Sequence, residues 1–199
     1  MPTLFILAGP NGAGKTTFYY QAIEDGFIRK DLPFINVDIV ARNLPGGYAE
    51  ENFVKAAEIT RERIAGHIRL KEDFMIESNL AKTADYDWIE NMKKAGYEVV
   101  LYFLCTKGIE INIDRVERRV KEGGHFIPPH IITDRYNLCL IYLKSKLSIF
   151  KQAYLIDNTE ETVDVVAKLE NGKIVTEVPD PPEWVSNLLF IVKKLNAGK

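Results

Sequence analysis

Apolar residues along this chain fall into two rhythms. Short, nearly continuous apolar runs at 3–8, 34–37, 74–76, 97–104 and 154–156 read as buried strands. The run at 97–104 is the most strand-like and is expected at the centre of a sheet. Between these runs lie longer, helix-compatible stretches. Residues 16–24 are free of Gly and Pro. In 50–71, Phe53, Ala57, Ile64 and Ile68 share one helical face. Thr83 is the expected N-cap of a helix to about 94, closed by Gly96. A charged helix at 109–122 stops at Gly123-Gly124, and Pro128-Pro129 open another that runs to about 152. Residues 163–169 and 173–178 flank Asn171-Gly172 as a β-hairpin, and Pro181-Pro182 begin a last helix ending near 195. Alternating strands and helices predict an α/β fold: a parallel sheet of about five strands flanked by helices, then a C-terminal hairpin plus helix.

Composition narrows this picture only a little. With 199 residues, 46% of them hydrophobic, the chain suits one domain spanning 1–199 with a substantial core. A formal net charge of −2 gives no global attraction to nucleic acid or to an anionic membrane, and neither is expected as a partner. Cys105 and Cys139 sit among apolar residues and read as buried thiols of a reducing compartment. No apolar stretch approaches the length of a membrane span, and the first apolar run leads straight into a glycine loop, so the expected location is cytoplasmic.

That glycine loop carries the strongest chemistry. Gly9-Pro10-Asn11-Gly12-Ala13-Gly14-Lys15-Thr16 fits the phosphate-binding pattern G-x-x-x-x-G-K-[ST] at every fixed position, between a strand and a helix. Backbone N–H groups of such a loop turn toward phosphate oxygens, and the helix N-terminus adds its dipole. Lys15 would reach the β- and γ-phosphates, and the Thr16 hydroxyl would ligate Mg²⁺. The motif predicts binding of a nucleoside triphosphate.

In parallel α/β sheets, ligand groups gather beyond the carboxyl ends of the strands. Asp38 ends the second predicted strand. It could take a proton from an attacking hydroxyl, hold Mg²⁺ through water, or simply form a turn. Glu77, followed by Ser78 and Asn79, ends the third. These groups could hold substrate hydroxyls, Glu77 could act on Mg²⁺, or Ser78 or Asn79 could cap the next helix. In the charged helix, Arg115 has no acid three or four positions away and stacks at i,i+4 on Arg119. An anion is the natural missing partner, so the segment at about 109–135 reads as a lid whose arginines, with Arg135, neutralise a phosphoryl group. His125 could orient this lid or the substrate. His125 and His130 lack metal-ligand spacing. Asp157-Asn158 could wall the adenine side or form a turn.

These residues resemble the zeta toxin family, P-loop kinases with an adenylate-kinase-like core. Resemblance rests on Gly9 to Thr17, on Ile35-Asn36-Val37-Asp38 and Phe74-Met75-Ile76-Glu77-Ser78, and on Arg115-Val116, Gly123-Gly124-His125, Ile127-Pro128 and Arg135-Tyr136. It implies ATP and Mg²⁺ at Lys15, Thr16 and Thr17, with Asp38 as general base. Glu77 and Ser78 would meet the acceptor, and Arg119 and Arg135, ahead of Arg115, the γ-phosphate. The implied reaction is ATP-dependent phosphorylation of a hydroxyl on a sugar nucleotide such as UDP-N-acetylglucosamine, and the implied protein partner is a small antitoxin. Two other readings of the residues stay open: a nucleotide-dependent switch without an acceptor, and a kinase of nucleic-acid ends, against which the acidic balance counts.

Overall fold

The computed structural model describes residues 1–160 and 162–197. In chain order the elements begin with β1 (Thr3–Ala8), α1 (Lys15–Glu24), β2 (Phe34–Ile35), α2 (Val37–Arg42) and α3 (Glu50–Leu70). Next come β3 (Phe74–Ser78), α4 (Thr83–Lys94), β4 (Glu98–Cys105), α5 (Ile109–Lys121) and α6 (Pro129–Lys146). The chain then adds β5 (Gln152–Asp157), β6 (Asp164–Glu170), β7 (Lys173–Glu177) and α7 (Glu183–Ala197). The strands form one sheet in the order β2-β3-β1-β4-β5-β6-β7, with β4 in the middle as its apolar run predicts. From β2 to β5 all neighbours are parallel, while β6 and β7 extend the sheet antiparallel. The five parallel strands expected are therefore present, and the hairpin joins their sheet.

Both faces of the centre are covered, which explains why β4 is apolar at successive positions rather than alternating ones. Val99, Leu101, Phe103 and Cys105 point to the side packed by α4, α6 and α7 through residues such as Ile89, Leu143 and Leu188. Val100, Tyr102 and Leu104 point to the other side and meet Phe18, Tyr19 and Ala22 of α1. Register then places the site. Parallel pairing of β1 with β3 sets Leu7 opposite Glu77 and Ala8 opposite Ser78, so both strands end beside the glycine loop. Pairing of β4 with β5 sets Cys105 opposite Asp157, which brings Asn158 to the same end.

Several boundaries differ from the sequence expectation. The second strand stops at Ile35, because the Asn36 side chain accepts from the Ile39 N–H and starts α2 there. Asp38 thus lies in the first turn of a helix instead of at a strand end. Lys82, with no side-chain cap, precedes α4, so Thr83 is its first residue rather than its cap. Helix α6 ends at Lys146, and a 3-10 turn over Leu147–Ile149 leads into β5. Strand β3 runs on through Glu77 and Ser78.

Leu101 is fully buried at the sheet centre. Leu101→Ala should cost about 2–5 kcal/mol. Thermal unfolding should show a Tm lower by roughly 2–4 °C for each kcal/mol lost.

Candidate active site

One cleft of about 850 Å³ runs along the carboxyl ends of the central strands. Its floor is the glycine loop and the start of α1, with Asn11, Gly12, Gly14, Lys15, Thr16 and Thr17 on its surface. Gly14 holds φ 86°, and a Cβ there would lie 2.1 Å from Asn158 Nδ2, so this position accepts glycine alone. Lys15 is only 5% exposed, and its Nζ donates to the carbonyls of Gly9 (2.8 Å) and Pro10 (3.0 Å). It also donates to Asn79 Oδ1 at 3.3 Å and lies 3.5 Å from Glu77 Oε1. A buried ammonium is tolerated only with such partners.

Asparagine side chains brace the loop from behind. Fully buried Asn112 of α5 donates to the Asn11 carbonyl at 2.6 Å, and Asn158 donates to the Ala13 carbonyl at 2.8 Å. Arg135 donates to Asn11 Oδ1 at 2.8 Å. Asp157, paired at 2.8 Å with the Trp184 indole N–H, supports the same corner. Asp157 also accepts from the Thr159 N–H at 3.0 Å, the turn considered from sequence, and Asn158 lines the cleft. Asn112 carried a sequence signal: it shares the inward stripe of α5 with Val116, where an apolar residue belongs. Asn158 carried none, because its partner lies 145 positions away.

At one end of the cleft, α2 and the turn before α3 contribute Asp38, Ile39, Arg42 and Tyr48, opposite Glu77. Asn36 Nδ2 makes a short hydrogen bond to Glu77 Oε2, linking the two acids' supports. Burial pushes the Glu77 carboxyl above its usual range, while Lys15 pulls it down and Asp38 pushes it further up. Ser78 Oγ accepts from the Leu80 N–H at 3.1 Å, the local turn role, and Asn79 serves Lys15.

Helix α5 and the glycines after it form the opposite wall. Arg115 donates to the carbonyls of Asn158 (2.7 Å) and Thr159 (3.2 Å), so its partners are backbone oxygens. Arg119 Nη2 donates to the His125 carbonyl at 3.1 Å. Its Nε is buried with no hydrogen-bond partner among the described residues. Burial lowers the His125 pKa, although Asp38 pulls it up. Its ring lies 4.5 Å from that of Phe53 and 5.7 Å from that of Tyr48.

The Zeta toxin profile matches residues 1–170, from β1 to the end of β6. The chain belongs to the Zeta toxin family. Zeta toxin membership and the fold together support a kinase-type, ATP-using phosphotransferase. An uncharacterised protein of Haemophilus influenzae is 31% identical over 136 residues, covering 64% of this chain and 88% of that one. Among solved structures, one chain from the PezAT chromosomal toxin–antitoxin system of Streptococcus pneumoniae superposes with a TM-score of 0.64. It is 19% identical, over 99% of this chain and 87% of its own. A chain of the AvrRxo1-ORF1:-ORF2 complex solved with ATP gives 0.66 at 17% identity. This chain is covered over 96% there but spans only 64% of that larger relative. Among the described residues no helix is long and apolar enough to cross a membrane.

Because burial raises the Glu77 pKa, the folded protein holds that proton more tightly than the unfolded chain does. Stability from this group is complete below the unfolded pKa and is lost as pH rises through the folded one. Glu77→Gln should therefore melt above the wild type at about pH 8. The gap should close toward about pH 3, below the unfolded carboxyl's usual value of about 4.3, where both states of the wild type are protonated. Thermal melts across that range measure it.

Proposed function

We propose that this chain transfers the γ-phosphoryl group of ATP to a hydroxyl of a small molecule, a sugar nucleotide such as UDP-N-acetylglucosamine. The observation that carries this reading is one cleft lined by a P-loop lysine, the carboxylates of Asp38 and Glu77, and Arg119, which has an unpartnered buried donor among the described residues. The whole chain serves as one kinase domain, and the segment at about 109–135 acts as its lid.

The donor set also suits the implied cofactor. No group of three His, Cys, Asp or Glu among the described residues could hold a metal ion, which argues against a protein-caged metal. A Mg²⁺ ion would take the Thr16 hydroxyl, with water and phosphate oxygens filling its shell. When bound it supplies charge neutralisation at the phosphate oxygens.

Each role then follows from placement. The N–H groups of the loop and the N-terminus of α1 hold the phosphates, with the Lys15 ammonium, bonded to the Gly9 and Pro10 carbonyls, beside them. Asp38 accepts the hydroxyl proton as the acceptor oxygen bonds to γ-phosphorus and the bond to the β–γ bridging oxygen breaks. Glu77, kept beside Lys15 and Asn36, receives a substrate hydroxyl. Arg119 stabilises charge on the transferring group, helped by Arg135, while Arg115 holds the loop after β5. A small antitoxin is the proposed protein partner, supported by the likeness to a chain of the PezAT toxin–antitoxin system.

Asp38→Asn should lower turnover by about 10²–10⁴-fold while sparing ATP binding. UDP-N-acetylglucosamine incubated with MgATP and the protein should yield, by mass spectrometry, a product one phosphoryl group heavier. A Lys15→Ala control should yield none. If the wild type binds ATP but forms no such product, the acceptor is a different hydroxyl.

A further inference from the structure

Arg119 is held at two points, and both depend on the loop that follows α5. Its stem lies against Gly124, where an added Cβ would come 2.5 Å from Arg119 Cγ and 2.8 Å from its carbonyl oxygen. Its Nη2 is bonded to the carbonyl of His125, which leaves Nε as the free donor. What fixes the arginine is therefore whatever fixes His125.

The anchor comes from the opposite side of the cleft. Phe53, in the first turns of α3, lies 4.5 Å from the His125 ring, with the rings inclined at 46°. It stacks on Tyr48 at 6.2 Å and 16°. Behind it, Phe53 packs against a small cluster of Ala56 with Val40 and Ala41, the last two from α2, the helix that carries Asp38. Burial keeps the imidazole toward its neutral form, which suits a ring clustered with those of Phe53 and Tyr48. One aromatic side chain thus touches the support of the proposed base and the support of the proposed arginine.

We propose that Phe53 is a positioning residue for phosphoryl transfer. Through the His125 ring it sets the carbonyl that aims Arg119, and through Val40 and Ala41 it holds that arginine in register with Asp38. Phe53 is not among the residues that line the cleft. Its loss therefore withdraws an interaction used in the transition state and leaves ground-state nucleotide binding intact. The inference rests on the transfer reading above and adds to it the residue that couples the two walls.

Binding measurements test this without knowledge of the acceptor. Affinities of the full chain for MgATP and for MgADP with aluminium fluoride, a mimic of the transferring phosphoryl group, are compared across variants. Phe53→Ala, and Phe53→Leu as the variant that keeps an apolar filler for the fold, should bind the mimic about 10–100-fold more weakly. ATP affinity should stay within about threefold. Phe53→Tyr, which keeps the ring, should restore mimic binding. Adding Phe53→Leu to Arg119→Ala should weaken the mimic no further, since the two act as one unit. Equal weakening of both ligands, wild-type mimic binding by Phe53→Leu, or failure of Phe53→Tyr to restore it would overturn the proposal. A wild type that binds ATP but shows no preference for the mimic would overturn the transfer reading itself.

Discussion

The arrangement depends on turning backbone carbonyls away from the place where an anion must sit. A loop that offers its N–H groups forward must find partners for its C=O groups behind, and none of those partners can come from water in a packed core. Here the carbonyls of Gly9 and Pro10 receive the Lys15 ammonium, that of Asn11 receives Asn112, and that of Ala13 receives Asn158. Every brace comes from the carboxyl end of a sheet strand or from the helix just beyond it. The sheet order is therefore what brings β3, α5 and the end of β5 around one short loop.

On the other side of that loop, two acids share one neighbourhood and are supported by a single residue. Asn36 caps α2 with its side-chain oxygen and bonds Glu77 with its nitrogen. Placing Asp38 in the first turn of α2 puts it near the positive end of that helix. Glu77 instead sits in a buried strand end, where desolvation dominates. Two chemically similar groups thus occupy different backbone settings, one in the first turn of a helix and the other at a buried strand end.

The strands were legible because β4 and its neighbours are buried on both faces and so read as unbroken apolar runs. The glycine loop was legible because its chemistry is local. The start of α2 was not: Ile35, Val37, Ile39 and Val40 look like strand residues, and only the side chain of Asn36 breaks the extended backbone. Arg115 and Arg119 of α5 were visible as incompletely compensated charges, yet the difference between their partners was not. Arg115 finds its acceptors in the carbonyls of Asn158 and Thr159, more than forty positions further on. Phe53 was read as one residue of an amphipathic stripe; that its ring meets His125 is a fact of tertiary packing alone.

The brace between Ala13 and Asn158 also has a meaning in time. A ribosome releases the glycine loop first and the asparagine 145 residues later. Helix α7, whose Trp184 secures the adjacent Asp157, follows later still. A growing chain thus carries the phosphate-binding sequence long before it carries the braces that shape it. Until residue 158 has emerged, the glycine loop folds without the partner of its Ala13 carbonyl.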